Sequence, residues 1–570
     1  MTHHAVDLEP ALRTLMARAT GYWTIEACGV TRAQTSILAL VHQEAYAPTT
    51  PYTRVLLVGG FMGLPDDVNL ALQTLQLYVE AGERLTNTLA LSAVPCGNPD
   101  GLAVGVGPQN GAGGHPAEGY PPADNFFYDA HDPERRYLWR WAGLQAPDVV
   151  LEVRAGTTVT WEASAAAAAL APALQAGSAM PADSFLAALG ATTANGLGPI
   201  PGLRLTTPPG ALAKQLDRLW KVLASHPTLR PTPARRVLDA RRARTPLQIA
   251  HLLASVYGHS LDPVVYTLGM GISGRLRLAR LDPEFPDPTP AIVQLVEPYV
   301  SGARPMWNEP ASTTAMAGLI WGLQLTEATR DRRYAALIAN VAEHYQAGDA
   351  GGAPPPSDAD FRTEDMFMNG AMLGRAFQLT GEARYLDLLT QFLLNAHIQQ
   401  DNSLFWHCRS APYYWGRGNG FAALGFSETL SFLPIAHPDR AALLAMHTRH
   451  LEALRQRQLP SGMYPQVLDV PGSYEEFTIT CMLGYVMAHG LRRGWLDTSY
   501  RPAVERAWQG VTERIDDTGG LIDCCTNTGV QNSRQAYVDR PAIFGRDDRG
   551  GAMALWFALE MEQLQREHRQ

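Results

Sequence analysis

Long apolar runs are missing from this chain of 570 residues. No window of about 18 consecutive apolar residues occurs, so no membrane-spanning helix is expected. Cysteine is scarce: there are six, with Cys28, Cys96, Cys408 and Cys481 scattered and Cys524 and Cys525 adjacent. That excludes a disulfide framework, and none of the spacings is that of a metal site, so neither metal nor cofactor is expected. A basic excess is also lacking. Net charge is -9 with acidic and basic residues interspersed, which gives no extended basic surface and argues against a nucleic-acid partner. The stretch MTHHAVDLEPALRTLMARAT has neither the charged nor the apolar region of a secretion signal. With the few cysteines it sets a cytoplasmic location as the expectation.

What is present describes a globular protein, with 46% hydrophobic and 18% charged residues. The chain is too long for one core, so two or more domains are expected. In the first part, SILALVHQE, RVLLVGG, NTLALSAVP and DVVLEVR read as buried strands. Helical stretches such as DDVNLALQTLQLYVEAGERL and ERRYLWRWAGL lie between them. This alternation predicts an α/β domain with a largely parallel sheet over residues 1–226, closed by the amphipathic KQLDRLWKVLASH. The proline- and arginine-rich stretch between, residues 227–246, reads as a solvated linker.

Over residues 247–570 the strands vanish. LTEATRDRRYAALI (from Leu325) and LTGEARYLDLL (from Leu379) share one pattern: helix end, turn, and a tyrosine opening the next helix. Units of about fifty residues with this pattern predict a helical-hairpin array. Room for about six hairpins argues for a closed toroid of inner and outer helices over an open solenoid, which needs capping repeats.

Within that half, YYWGRGNGF (Tyr413–Phe421) carries two glycines around Asn419. One reading is a helix-start loop with Asn419 as the cap of FAALGFSETLSFL. The other is a sugar site, with the Trp415 indole to stack on a pyranose and the Arg417 guanidinium to grip a carboxylate. The residues alone leave both open.

Five segments in order resemble the unsaturated uronyl hydrolases of glycoside hydrolase families 88 and 105. They are EDMFMNGAMLGRAFQLTGEARYLD, SLFWHCRSAPYYWGRGNGFAALGF, SGMYPQVLDVPGSYEEFTITCML, CTNTGV with Tyr537, and DDRGGAMALWFALE. The resemblance implies an (α/α)6 barrel acting on oligosaccharides that end in a 4,5-unsaturated uronic acid. In that chemistry a carboxylic acid delivers a proton to carbon 4, water adds at carbon 5, and the hemiketal collapses. A group that passes between acid and base needs a pKa near the working pH.

The family's principal catalytic aspartate falls on Glu364, with Asp365 following. Successive helical residues point about 100° apart, so one of the two is expected to face the cavity, Glu364 by register. The plainer reading of the pair is as charges at a helix N-terminus. A second family carboxylate falls nearest to Glu309 or Asn308, although Glu309-Pro310 also reads as an ordinary helix entry. By the same resemblance His407, Trp415, Arg417 and Asn419 belong to the substrate site, against a core role for the histidine. Gln466 and Glu476 are further candidates, against packing or capping roles. The implied partner is an acidic oligosaccharide; self-association is left open.

Two other functions compete. One is an exo-acting glucuronidase on saturated uronosides, using two carboxylates about 6.5–9.5 Å apart. The other is an inactive carbohydrate-binding or scaffold protein.

The first domain resembles zinc carboxypeptidases and their succinylglutamate-desuccinylase relatives through ACGVTRAQTSILAL, RVLLVGGFMG, AVPCGNPDGLA and APDVVLEVRAG. That family's zinc ligands fall on Met62, Pro65 and Arg154, which cannot rebuild a catalytic zinc site. Asp66 and Asp67 then read as charges at a helix N-terminus.

Overall fold

The computed structural model describes residues 8–19, 21–123, 128–177, 180–192, 196–226, 230–307, 311–349 and 351–569. The chain divides into two compact units. Residues 1–243 with Val470–Tyr474 form the first, and Arg244–Asp469 with Glu475–Gln570 the second.

The first unit is built on a seven-stranded sheet: β1 (Trp23–Val30), β2 (Ser36–His42), β3 (Thr53–Val58), β4 (Leu89–Val94), β5 (Val149–Ala155), β6 (Thr160–Ala163) and β7 (Gly202–Thr207). Their order is β1-β2-β4-β3-β5-β7-β6. The central strands β3, β4, β5 and β7 run parallel, while β1, β2 and β6 add antiparallel edges. β3 and β4 are buried along their whole length, as their unbroken Val and Leu runs require of strands covered on both faces. The helices Pro65–Glu80, Pro133–Gln145 and Leu212–Ser225 supply apolar cover.

The expected linker is not one. Pro233–Arg242 is a helix, capped by the Thr232 side chain accepting from Arg235 N–H, with Pro233 in its first turn. Arg235 is fully buried and donates to the backbone carbonyls of Ala45, Gln145 and Ala146, all in the first unit. The run was read as wet because of its arginines, but Arg235 and Arg241 are buried. The first compact unit accordingly extends to Ala243.

The second unit alternates outer and inner helical segments. The outer ones are Pro246–Val256, Thr289–Val300, Arg332–Ala342, Arg384–Asn395, Arg440–Arg455 and Arg501–Glu513. The inner ones are Tyr266–Leu281, a broken segment from Thr313 to Thr329, then Thr363–Thr380, Gly416–Phe432, Phe477–Arg492 and Asp548–Arg569. Each inner segment packs on the next, and Asp548–Arg569 returns to pack on Tyr266–Leu281 and Pro246–Val256. The ring is therefore closed, an (α/α)6 double ring among the described residues. Strands do not vanish altogether: Leu521–Cys525 pairs with Ala542–Gly545, and Tyr464–Pro465 with Glu475–Glu476. Among the described residues no helix is long and apolar enough to cross a membrane.

Candidate active site

The Thr363–Thr380 and Gly416–Phe432 helices make the closest pair in the ring, and glycine sets their distance. A Cβ on Gly425 would lie 2.4 Å from the Met366 backbone, and one on Gly418 would lie 3.0 Å from Thr363 Oγ1. The glycines of YYWGRGNGF thus belong inside a helix that begins at Gly416, not in a loop before one. Asn419 is not its cap. Its side chain instead ties Phe405 N–H, Phe405 C=O, Trp415 C=O and His450 Nε2 together.

This packing brings the N-terminal turn of Thr363–Thr380 against the His407 loop. Glu364 and Asp365 are both buried there, but face different partners. Both Glu364 oxygens lie 3.0 Å from His407 Nε2, and Thr363 Oγ1 donates to Glu364 Oε2 at 3.3 Å. His407 is itself fully buried, with Nδ1 2.5 Å from Tyr537 Oη. Tyr537 Oη accepts Gln531 N–H at 3.1 Å. His407 Nε2 thus faces the Glu364 carboxylate while Nδ1 shares a hydrogen bond with Tyr537 Oη, which can give or take the proton there. Gln531, Tyr537, His407 and Glu364 form one connected chain of hydrogen bonds. Trp415 packs on His407 with ring centroids 4.7 Å apart.

Asp365 turns the other way. Its Oδ1 accepts from Thr313 Oγ1 at 2.5 Å, and Oδ2 from Asp358 N–H at 2.8 Å. These surroundings split the two acids. Burial raises both, but at Glu364 the opposing charge and hydrogen bond of His407 win, holding the carboxyl below the ordinary glutamate range. At Asp365 burial wins over the Thr313 and Asp358 bonds and lifts the carboxyl to about 6. Neither is a loose charge decorating a helix end.

The remaining candidates are placed differently. Arg417 is fully buried and donates to the carbonyls of Cys525, Thr526 and Asn527, with its guanidinium 4.9 Å from the Trp415 ring. A guanidinium so occupied does not hold a substrate carboxylate. Trp415 is fully buried, with Arg540 4.7 Å over it, so its indole offers no free face to a pyranose. Glu476 caps the Phe477–Arg492 helix, accepting from the N–H groups of Thr478, Ile479 and Cys525 and from the Thr478 hydroxyl. Gln466 donates to Tyr537 C=O and Cys525 Sγ. Glu476 thus anchors the Leu521–Cys525 strand, and Gln466 the short helix Arg534–Val538 that carries Tyr537. Glu309 and Asn308 lie outside the described residues.

Tyr537 falls within a family-like motif that gives it no role, and Thr313 is not marked by any motif. The signal for Thr313 was available in WNEPASTTAMAGL, where Ser312 caps the short helix that Thr313 opens. Among the described residues no group of three or more His, Cys, Asp and Glu side chains is arranged to hold a metal.

Residues 266–565 match the family model for Glycosyl Hydrolase Family 88. The unsaturated rhamnogalacturonyl hydrolase YesR of Bacillus subtilis (strain 168) is 24% identical over 188 residues, 31% of this chain and 53% of that protein. The unsaturated 3S-rhamnoglycuronyl hydrolase of Alteromonas sp. (strain LOR) is 29% identical over 111 residues, 19% of this chain and 27% of that protein. The match thus spans about half of the first relative's length and about a quarter of the second's. A solved family 105 glycoside hydrolase of C. acetobutylicum ATCC 824 aligns at 18% identity and TM-score 0.49, covering 55% of this chain and 99% of its own.

Proposed function

The chain belongs to glycosyl hydrolase family 88, and from that premise we propose that its helical unit removes a terminal 4,5-unsaturated uronic acid from an acidic oligosaccharide. The names of the two curated relatives support the substrate class. The observation that carries the chemistry is a pair of adjacent buried carboxyls held in opposite protonation tendencies by separate partners. Environments that push two acids apart assign one to give a proton and the other to take one.

Asp365, lifted to about 6, is the group of the two that holds a proton in mildly acidic solution. It delivers that proton to carbon 4 of the vinyl ether, and the positive charge develops at carbon 5 beside the ring oxygen. Glu364, kept ionised by His407, accepts a proton from the water that adds at carbon 5. The hemiketal so formed opens and releases the aglycone. Tyr537 holds the His407 ring in place and so keeps Nε2 aimed at Glu364. Glu364 was favoured by register as the single acid/base; the geometry supports dividing the work.

The test is turnover of an unsaturated uronoside by Glu364→Gln and Asp365→Asn. Each change should cost at least about a hundredfold in kcat, the lower range for general acid–base catalysis. If either variant turns over at the parent rate, the division fails. If neither change matters, the binding-protein reading takes its place.

For the first unit we propose descent from a zinc-carboxypeptidase-like fold whose metal chemistry is gone. The mixed sheet supports this, as does Asn98 of the NPDG turn, which caps a short helix by accepting Gly101 N–H. Arg154, at a former ligand place, is paired with Glu152 at 2.5 Å. Stoichiometric zinc in the purified protein, with peptidase or amide-hydrolase activity, would overturn it. We place the protein in the cytoplasm on its six cysteines, all buried free thiols.

A further inference from the structure

Glu364 stands at the N-terminal end of its inner helix, and the other end of the ring carries different chemistry. There, the C-terminal halves of the Tyr266–Leu281, Thr363–Thr380, Gly416–Phe432, Phe477–Arg492 and Asp548–Arg569 helices line a cavity of about 1110 Å³. Arg375, which lines it, is eleven residues after Glu364 on one helix, a rise of roughly 16 Å. Between the two ends four buried rings, Tyr266, Phe367, Phe421 and Trp556, pack against one another with centroids 5.8 to 6.5 Å apart. Neither Glu364, Asp365 nor His407 lines the far cavity.

Glu428 is held by Arg375 at 2.7 Å, and Glu560 by Arg492 at 2.7 Å and His489 at 3.0 Å, with Arg492 also paired to Glu567 at 2.7 Å. Arg277 feels the charges of Glu428 and Glu560 but, among the described residues, forms an ion pair with neither. Its guanidinium lies 3.7 Å over the Trp556 ring, and among the described residues its one hydrogen bond to the protein goes to Tyr485 Oη at 3.4 Å. A guanidinium has five N–H donors in a fixed planar fork. Most of those of Arg277 are thus free of protein acceptors at a cavity wall. At the rim, Arg280 is paired with Glu327 at 3.1 Å, while Arg330 and Arg493 add positive charge against Asp287.

We propose that this cavity is a binding site for a small anion bearing a carboxylate or phosphate group, held by the Arg277 fork on its Trp556 plate. A planar fork matches the paired oxygens of either group, and stacking on an indole fixes its plane before the ligand arrives. Partly shielded walls make the interaction stronger than on an open surface. The shared chemistry admits two sources, a sugar acid or a phosphate compound, which separate probes distinguish.

The experiment is calorimetric titration of the full chain with galacturonate, with inorganic phosphate and with galactose as the neutral control. Parent protein is compared with Arg277→Met, which keeps an aliphatic stem over Trp556, and Arg277→Lys, which keeps the charge but not the fork. Retention of the parent's turnover of unsaturated uronoside reports that each variant is folded and that the active end is intact. The result expected is binding of one or both anions and not of galactose, lost at least tenfold in Arg277→Met and weakened in Arg277→Lys. The anion that binds identifies the source. Failure of both anions to bind at millimolar concentration overturns the proposal. So does binding unchanged in Arg277→Met, because a uronate held only at the active end would behave that way. Should Arg277→Met fail to fold, Arg277→Lys and Tyr485→Phe carry the test, and parent-like anion affinity in both overturns it.

Discussion

Glu364 and Asp365 follow one another on one helix turn, yet the protein treats them as different acids. One is tied to an imidazole that donates to it; the other is buried against a hydroxyl and one backbone N–H. In kcat/KM, which reports the free enzyme, activity should therefore fall as pH rises through about 6, where Asp365 loses its proton. It should also fall at low pH, below the ordinary glutamate range, where Glu364 gains one. A pH–rate series on the parent checks this, and an alkaline limb above pH 8 would contradict it. Stability gives an independent reading. The folded Asp365 carboxyl is raised, so its contribution is fully present below the ordinary aspartate range and is lost as pH rises through about 6. Asp365→Asn should thus melt a few degrees higher than the parent at pH 8. The two should converge as pH falls into the aspartate range; thermal melts at both ends measure it. Arg417 shows how far residue type misleads when surroundings are unknown. An arginine two residues from a tryptophan reads as a carboxylate grip, but three carbonyls of the Cys525–Asn527 stretch use it. Arg417→Ala should lower the melting temperature and weaken binding of a uronoside and its neutral counterpart alike. A loss tenfold greater for the uronoside would restore the grip.

At the scale of elements, the order of strands and helices was legible because burial follows periodicity. The β3 and β4 runs and the helix-turn-tyrosine pattern fall where the apolar residues put them. Two boundaries were not legible, and both turn on close packing. The glycines of YYWGRGNGF read as breakers, since glycine costs a helix roughly 1 kcal/mol. In place they admit a neighbouring helix, and that contact outweighs their propensity. The proline- and arginine-rich stretch read as solvated because its acceptors, the carbonyls of Ala45 and Gln145, lie 190 and 90 residues earlier. Space decides which glycine matters. A methyl on Gly425 meets the Met366 backbone at 2.4 Å, while one on Gly420 meets the flexible end of Met482 at 2.5 Å. Gly425→Ala should cost about 1–3 kcal/mol by overpacking, and Gly420→Ala much less. Denaturant unfolding of the two variants checks the ranking, and equal costs would mean the helices shift freely.

For the molecule as a whole, closure of the ring matters most, because it gathers residues hundreds of positions apart. Glu364, His407 and Tyr537 meet although 43 and 130 residues separate the bonded pairs. Motif order hinted at this gathering, and a register argument singled out Glu364. No sequence pattern gives the partner that each acid faces, and those partners split their acidities. The central proposal is that the ring hydrates a double bond rather than attacking a saturated glycoside. The most direct measurement is incubation of the full chain, in excess chelator, with matched 4,5-unsaturated and saturated uronosides. Double-bond absorbance and released aglycone are followed together. The account predicts that the absorbance falls in step with aglycone release from the unsaturated compound, while the saturated one stays whole. Release from the saturated compound at a comparable rate, or activity lost to chelation and restored by zinc, would contradict it.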